Sequence, residues 1–440
     1  MPDSTSNISG ESNVAPQGAG PVNPEPTKPA RRRIDSVDLL RGIVMVIMML
    51  DHTRDFVHYG ALLFDPLDLS KTTTALFLTR WITHFCAPVF VFLAGTGAYL
   101  QFARGKSKSE LSRFLISRGL WLIVLEFTVV RLGAFFNLNP AFLLFLQVIF
   151  VIGFSMIVLA ALIHLPLKFT AGFGLVMIAL HNILDRFPVT PWQGPQSPVP
   201  SWGAKLWMLL HRPGIFPIGP HFPSPLVFVL YPLIPWIGVM AVGYAFGALY
   251  TKDAKLRKRW LLLIGGIATW LFIFIRAIDK YGEPLHWSRQ KNLVFTILSF
   301  INTTKYPPSL DYLLMTLGPA IFALAFFELR GNIAGSISGP TGSGVRRFFV
   351  TFGRVPLFFY ILQWFTSHSI AIALHAAFGK PVHWLFQTPV EWFSNPPQGN
   401  GFNLFVVYLS WIAGVLLLYP LCKWLAAVKA RRRDWWLSYL

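Results

Sequence analysis

Residues 141–163 read AFLLFLQVIFVIGFSMIVLAALI, a run without one charged side chain. A helix of about 20 apolar residues spans the hydrocarbon core of a bilayer, so this stretch predicts a membrane-crossing helix. The same measure predicts nine further spans, at 36–58, 79–102, 113–133, 168–184, 225–249, 259–277, 309–328, 348–375 and 403–425. The expected fold class is therefore all-α, a polytopic membrane helix bundle of about ten transmembrane helices. It becomes eleven if the short apolar patch Leu293–Ile301 also enters the membrane. Composition agrees: 54% of residues are hydrophobic, 15% aromatic and only 13% charged, whereas soluble domains carry about 25% charged residues. Disordered, fibrous and ordinary cytosolic classes are thereby excluded.

The formal net charge is +19, and its distribution decides what it means. Residues 1–30 are rich in Pro, Ser, Gly and Asn and read as a disordered cytoplasmic tail. The tail leads into Lys28, Arg31, Arg32 and Arg33, which hold it inside while the first helix inserts uncleaved. Residues 31–428 form the membrane domain and 429–440 a basic cytoplasmic tail. With alternating loops, 25 of the 38 basic residues fall on the inner side, while acidic residues divide 10 to 9. A Lys/Arg skew without an acidic skew is an orientation signal, and it predicts both termini in the cytoplasm. Nucleic acid is not an expected partner; the bilayer is. Cys86 and Cys422 lack metal-site spacing and lie towards opposite faces, so neither a zinc site nor a disulfide is expected.

Because charge is scarce, the places where it gathers stand out. The first span, short in its apolar run and expected to be shielded by other helices, ends Asp51-His52-Thr53-Arg54-Asp55-Phe56-Val57-His58. On a continuous helix Asp51, Asp55 and His58 share a face, and His52 is i,i+3 from Asp55. A charge at mid-membrane costs about 2.5–3.5 kcal/mol on insertion scales, so such a knot must be paired or wetted. Arg54 neutralising both aspartates is one reading; a functional site using the two histidines is the other. In the second span Arg80 and His84 are i,i+4 neighbours, and Pro88 frees the carbonyl of His84 from its helical partner. Lys305 precedes the eighth span, where Ser309 can cap the helix and the N-terminus favours an anion. The ninth span carries Gln363, His368 and His375, and the third carries Glu126, which is neutral or has a partner such as a buried Arg. Gly243-x-x-x-Gly247 predicts close helix packing.

The segments Arg33–Gly42, Asp51–Phe56 and Pro88–Gly95 resemble the opening of the heparan-α-glucosaminide N-acetyltransferase-like transmembrane acyltransferases. Tyr231–Gly247, Thr304–Leu310 and Phe352–Tyr360 are similar to their bacterial branch, which implies a multi-pass protein of the inner (plasma) membrane. The resemblance implies transfer of an acetyl or other acyl group from cytoplasmic acyl-CoA, a co-substrate rather than a tightly held cofactor, to a small-molecule or glycan acceptor outside. Characterised relatives carry their catalytic histidine in a His-x-x-Trp-Asn-Gly segment before the second span. The corresponding region here, near Thr74, has none, and Gln363 stands where bacterial relatives tend to have a histidine.

The general base then falls to His52 or His84, with Asp55 or Asp51 orienting the imidazole. Arg54, Arg80, Lys305 and His368 are the expected substrate-binding residues, and Arg41 or the basic inner loops meet the CoA phosphates. A homodimer would add a second copy as partner. The rival reading is a transporter or flippase, with the same outer-face cluster as substrate or proton site and a path through Glu126, His368 and His375.

Overall fold

The computed structural model describes residues 34–440 except 62, 222–223, 334–343, 389–390, 393–398, 433 and 440. The predicted tail 1–30, Arg31, Arg32, Arg33 and Arg433 lie outside the described residues. The fold is mostly helical. In chain order the helices are α1 (Asp35–Val57), α2 (Thr74–Ile82), α3 (Cys86–Ala103), α4 (Lys108–Leu125), α5 (Arg131–Phe135), α6 (Val148–Leu162), α7 (Leu167–Leu180) and α8 (Trp202–Leu210). They continue as α9 (Leu233–Phe246), α10 (Ala254–Ile278), α11 (Leu293–Ile301), α12 (Leu310–Ile333), α13 (Gly344–Arg354), α14 (Pro356–Ala377) and α15 (Leu404–Arg431).

Among the described residues, seven helical runs are long and apolar enough to cross a membrane: Thr74–Ala103, Leu167–Arg186, Leu233–Thr251, Ala254–Ile278, Leu310–Glu328, Pro356–Ala377 and Leu404–Arg431. Helix α6 is apolar but shorter, and α1 and α4 carry more charge. Helix starts follow side-chain chemistry: Thr73, Asp253, Asn292 and Asn403 each accept from the amide three residues on, and Ser107 with Glu110 closes a capping box on α4.

The helix that ends in the charged cluster is largely enclosed. Helix α1 packs against α3, α12, α13, α14 and α15, with Met49 and Val57 fully buried. The shielding expected of the first span is thus present. Its contact with α13 is backbone on backbone: a Cβ at Gly42 would overlap the carbonyl oxygen of Phe349, and one at Gly353 that of Asp38. Helices α3 and α9 meet in the same way, a Cβ at Gly243 colliding with the carbonyl of Phe92. The packing read from Gly243-x-x-x-Gly247 is therefore seen directly. On α7, α10 and α15, by contrast, Phe169, Val176, Trp270, Ile273, Phe405, Leu416 and Trp424 are exposed, an apolar surface suited to lipid rather than water.

Three predicted spans begin differently from expectation; in the ninth, residues 348–354 belong to α13, a helix separate from α14. Residues 141–147 and 225–232 are not the first turns of helices. Strand β1 (Phe142–Leu146) pairs in parallel with β3 (Leu226–Val229), and β2 (Gly214–Pro217) pairs antiparallel with β3. Phe145 stacks on its partner Phe228 with centroids 5.1 Å apart. A short apolar run forms a buried strand as readily as a helix when a partner strand is available.

Candidate functional site

The last two turns of α1, the junction of α2 with α3, and the turn before α12 meet around Asp51. Asp51 is 7% exposed, and the charges of Arg80, Arg54, Lys305 and His52 all bear on it. Arg80 Nη1 binds its Oδ2, and Arg54 Nη2 lies 3.0 Å from its Oδ1. Arg54 also reaches Asp55 Oδ1 at 2.5 Å, so one buried guanidinium bridges both aspartates. Burying a charge is tolerable when it is paired in this way.

The carboxylates therefore do not orient an imidazole, contrary to the expectation for Asp51 and Asp55: the guanidiniums, which are always charged, take them first. His52 finds another partner. Its Nδ1 lies 2.8 Å from Gln363 Oε1 on α14, and its ring stacks on Trp364 at 3.7 Å. His58 leaves the cluster as α1 ends, its Nδ1 accepting the Gly60 amide at 3.1 Å.

His84 sits in the single turn Thr83–Phe85 between α2 and α3 and is wholly buried. The carbonyl that Pro88 frees is taken by the Tyr312 hydroxyl at 2.8 Å. Among the described residues both ring nitrogens of His84 lack a hydrogen-bond partner, and the charges of Arg80, Lys305, Asp51 and Arg54 reach it.

Lys305, 8% exposed, has no carboxylate partner among the described residues; its Nζ sits 5.2 Å from the Tyr306 ring and 6.0 Å from that of Tyr231. The Arg80 guanidinium also acts on the Tyr306 hydroxyl. Burial raises the Tyr306 hydroxyl, but the Lys305 ammonium and the Arg80 guanidinium outweigh it and hold it below the ordinary tyrosine range. Three cations thus face two carboxylates, and the site carries a surplus of positive charge.

Other expected participants are engaged elsewhere. His368 is fully buried with Nδ1 3.1 Å from the Gly133 carbonyl and Nε2 2.7 Å from that of Leu385, so no ring nitrogen is left for a substrate. Its ring stacks on Phe56 of α1, with centroids 4.4 Å apart. His375 accepts the Gly401 amide at 3.0 Å. The partner of Glu126 is not an arginine: its carboxylate accepts the Phe150 amide at 3.0 Å, capping α6 from a π-helical turn at Glu126–Val130. Glu126, His368 and His375 are each bound to main chain, which offers no relay of the kind a proton path needs.

Arg41, eleven residues before His52 and so about 16 Å away along the helix, pairs with Asp38 at 3.1 Å and reaches the Gly353 carbonyl at 3.2 Å. The two cysteines are free and buried. Sequence reasoning missed Trp364, Tyr306 and Tyr312, whose only signal was an aromatic or hydroxyl residue within the spans, or next to one, already singled out. It also missed Glu283, which accepts from the Thr304 amide at 2.9 Å and from the Ser309 hydroxyl at 2.6 Å and so fixes the turn that carries Lys305.

The fold and its apolar helices define a multi-pass helical membrane protein with a buried Asp/Arg/His cluster held between helices. A family model described as heparan-alpha-glucosaminide N-acetyltransferase, catalytic, matches residues 33–278, more than half of the chain, and the chain belongs to that family. No curated protein matches it. The matched stretch holds Asp51, His52, Arg54, Arg80 and His84, while Lys305, Tyr312, Gln363 and Trp364 are contributed by helices and turns beyond it.

Proposed function

We propose that the protein is a transmembrane acyltransferase that moves an acetyl or other acyl group from cytoplasmic acyl-CoA to an acceptor on the outer side of the cell (inner or plasma) membrane. In this reading the bundle crosses the membrane ten times with both termini inside, placing Arg41 at the inner end and His52 at the outer. The observation that carries it is His52: Nδ1 is held by Gln363, while Nε2 has no hydrogen-bond partner among the described residues, in a half-buried side chain.

His52 Nε2 takes the proton of an acceptor hydroxyl or amine as that oxygen or nitrogen attacks the thioester carbonyl carbon. The C–S bond breaks, CoA leaves as thiolate, and the proton passes to its sulfur. Arg80, Arg54 and Lys305 supply fixed positive charge for the oxyanion that forms on the carbonyl, or for an anionic group of the acceptor. The surplus positive charge around Asp51 supports that role. Arg41 meets the phosphates of CoA, at a distance from His52 that its extended pantetheine arm covers. His84, sealed against Tyr312, is the second candidate base.

The test is turnover of labelled acetyl-CoA by the purified protein in lipid nanodiscs with membrane-derived acceptor. Release of CoA thiol is expected, and His52→Ala should cut it by about 10²–10⁴-fold. Loss in His84→Ala but not in His52→Ala would move the base to His84. Solute flux without acyl loss would overturn the enzymatic reading in favour of transport.

A further inference from the structure

We infer that Gln363 is a positioning residue for His52, selecting the tautomer that leaves Nε2 as the proton acceptor. The inference rests on the acyltransferase reading for its consequence, but not for its geometry. Gln363 is wholly buried on α14. Its Nε2 donates to the Tyr360 carbonyl at 3.2 Å. A carbonyl oxygen only accepts, so that bond fixes which end of the amide is nitrogen. The opposite end, Oε1, faces His52 Nδ1 at 2.8 Å, and an amide oxygen also only accepts. Nδ1 must therefore carry the proton, and in the neutral ring Nε2 then holds the lone pair. Turning the amide over would set oxygen against the Tyr360 carbonyl and is unfavourable on the same grounds.

Trp364, the next residue on α14, stacks against the imidazole at an interplanar angle of 20°, so one turn of helix fixes both the tautomer and the plane of the ring. In hydrolytic triads a carboxylate does this work, and the wrong tautomer disables the base. Here the nearby carboxylates are tied to Arg54 and Arg80, and a neutral amide takes their place. An amide orients the ring without adding a negative charge to a buried site.

Two measurements on the full chain in nanodiscs test this. The first is the ¹⁵N spectrum of histidine-labelled protein, with the His52 signals assigned by their loss in His52→Gln. Wild type should show a protonated Nδ1 and a bare Nε2, and Gln363→Leu should show a mixture of tautomers. A bare Nδ1 in wild type, or an unchanged spectrum in Gln363→Leu, overturns the inference whatever the activity.

The second is acetyl-CoA turnover. Gln363→Leu should lower kcat by about tenfold or more with KM for acetyl-CoA little changed. Gln363→Glu, which when protonated can donate its O–H to the Tyr360 carbonyl and set its C=O opposite Nδ1, should restore most of the loss. Equal kcat in wild type and Gln363→Leu overturns the positioning role. A correct tautomer without acyl turnover in wild type would instead sink the acyltransferase reading and leave the geometry standing.

Discussion

Asp51→Asn removes the one carboxylate that two buried guanidiniums share, while keeping the side-chain volume so that no cavity complicates the result. The side chains of Arg54 and Arg80 are 4% and 13% exposed and that of Asp51 10%, so water cannot take over the lost pairing. Leaving a buried ion-pair partner uncompensated costs about 3–5 kcal/mol. Asp55 contacts the same Arg54, but its side chain is 44% exposed, and Asp55→Asn should cost no more than about 1 kcal/mol. The two variants change the same chemistry four residues apart, so their difference reports burial together with the second guanidinium that Asp51 binds. Equilibrium unfolding in mixed detergent micelles provides the free energies. Adding Arg80→Met to Asp51→Asn should recover part of the loss, because it removes the orphaned cation. An Asp51→Asn protein within about 1 kcal/mol of wild type, or one no less stable than Asp55→Asn, would refute the view of Asp51 as the hub.

The close contact of α1 with α13 makes Gly353→Ala costly by about 1–3 kcal/mol in the same unfolding assay. Gly97→Ala on α3, where an added Cβ meets nothing within 4 Å, should gain up to about 1 kcal/mol from helix propensity. Tyr312→Phe leaves the carbonyl freed by Pro88 without its donor and should lower stability by about 1–3 kcal/mol.

Glu283, in the loop between α10 and α11, has its carboxyl raised above the ordinary glutamate range by burial, partly offset by bonds from Ser309 and Thr304. The folded state then holds this proton more tightly than the unfolded state, so its contribution to stability falls as pH rises through and above the ordinary glutamate range. Unfolding measured across that window should show the decline in wild type and a flatter curve in Glu283→Gln.

Much of the fold is legible because membrane helices announce themselves by length and apolarity. Each of the ten predicted spans overlaps a helix, and seven helical runs among the described residues are long and apolar enough to cross a membrane. The strands at Phe142–Leu146 and Leu226–Val229 were not legible, since their pairing joins segments about eighty residues apart and an apolar run alone does not say which partner it has. The cluster at Asp51–Arg54 was visible because charge is rare in this chain. Its internal pairing was not: charge pattern alone left open whether aspartate binds arginine or histidine, and the decisive partner of His52 lies 311 residues away. Glu126 shows the same limit, since its partner is a main-chain amide that leaves no trace in side-chain identity.

The central claim, that His52 is the base of an acyl transfer, is tested most directly by CoA thiol release from acetyl-CoA in nanodiscs, wild type against His52→Ala. Turnover in wild type and a fall of about 10²–10⁴-fold in the variant are predicted. Equal rates in the two proteins, or no acyl loss from wild type with any acceptor pool, would contradict it.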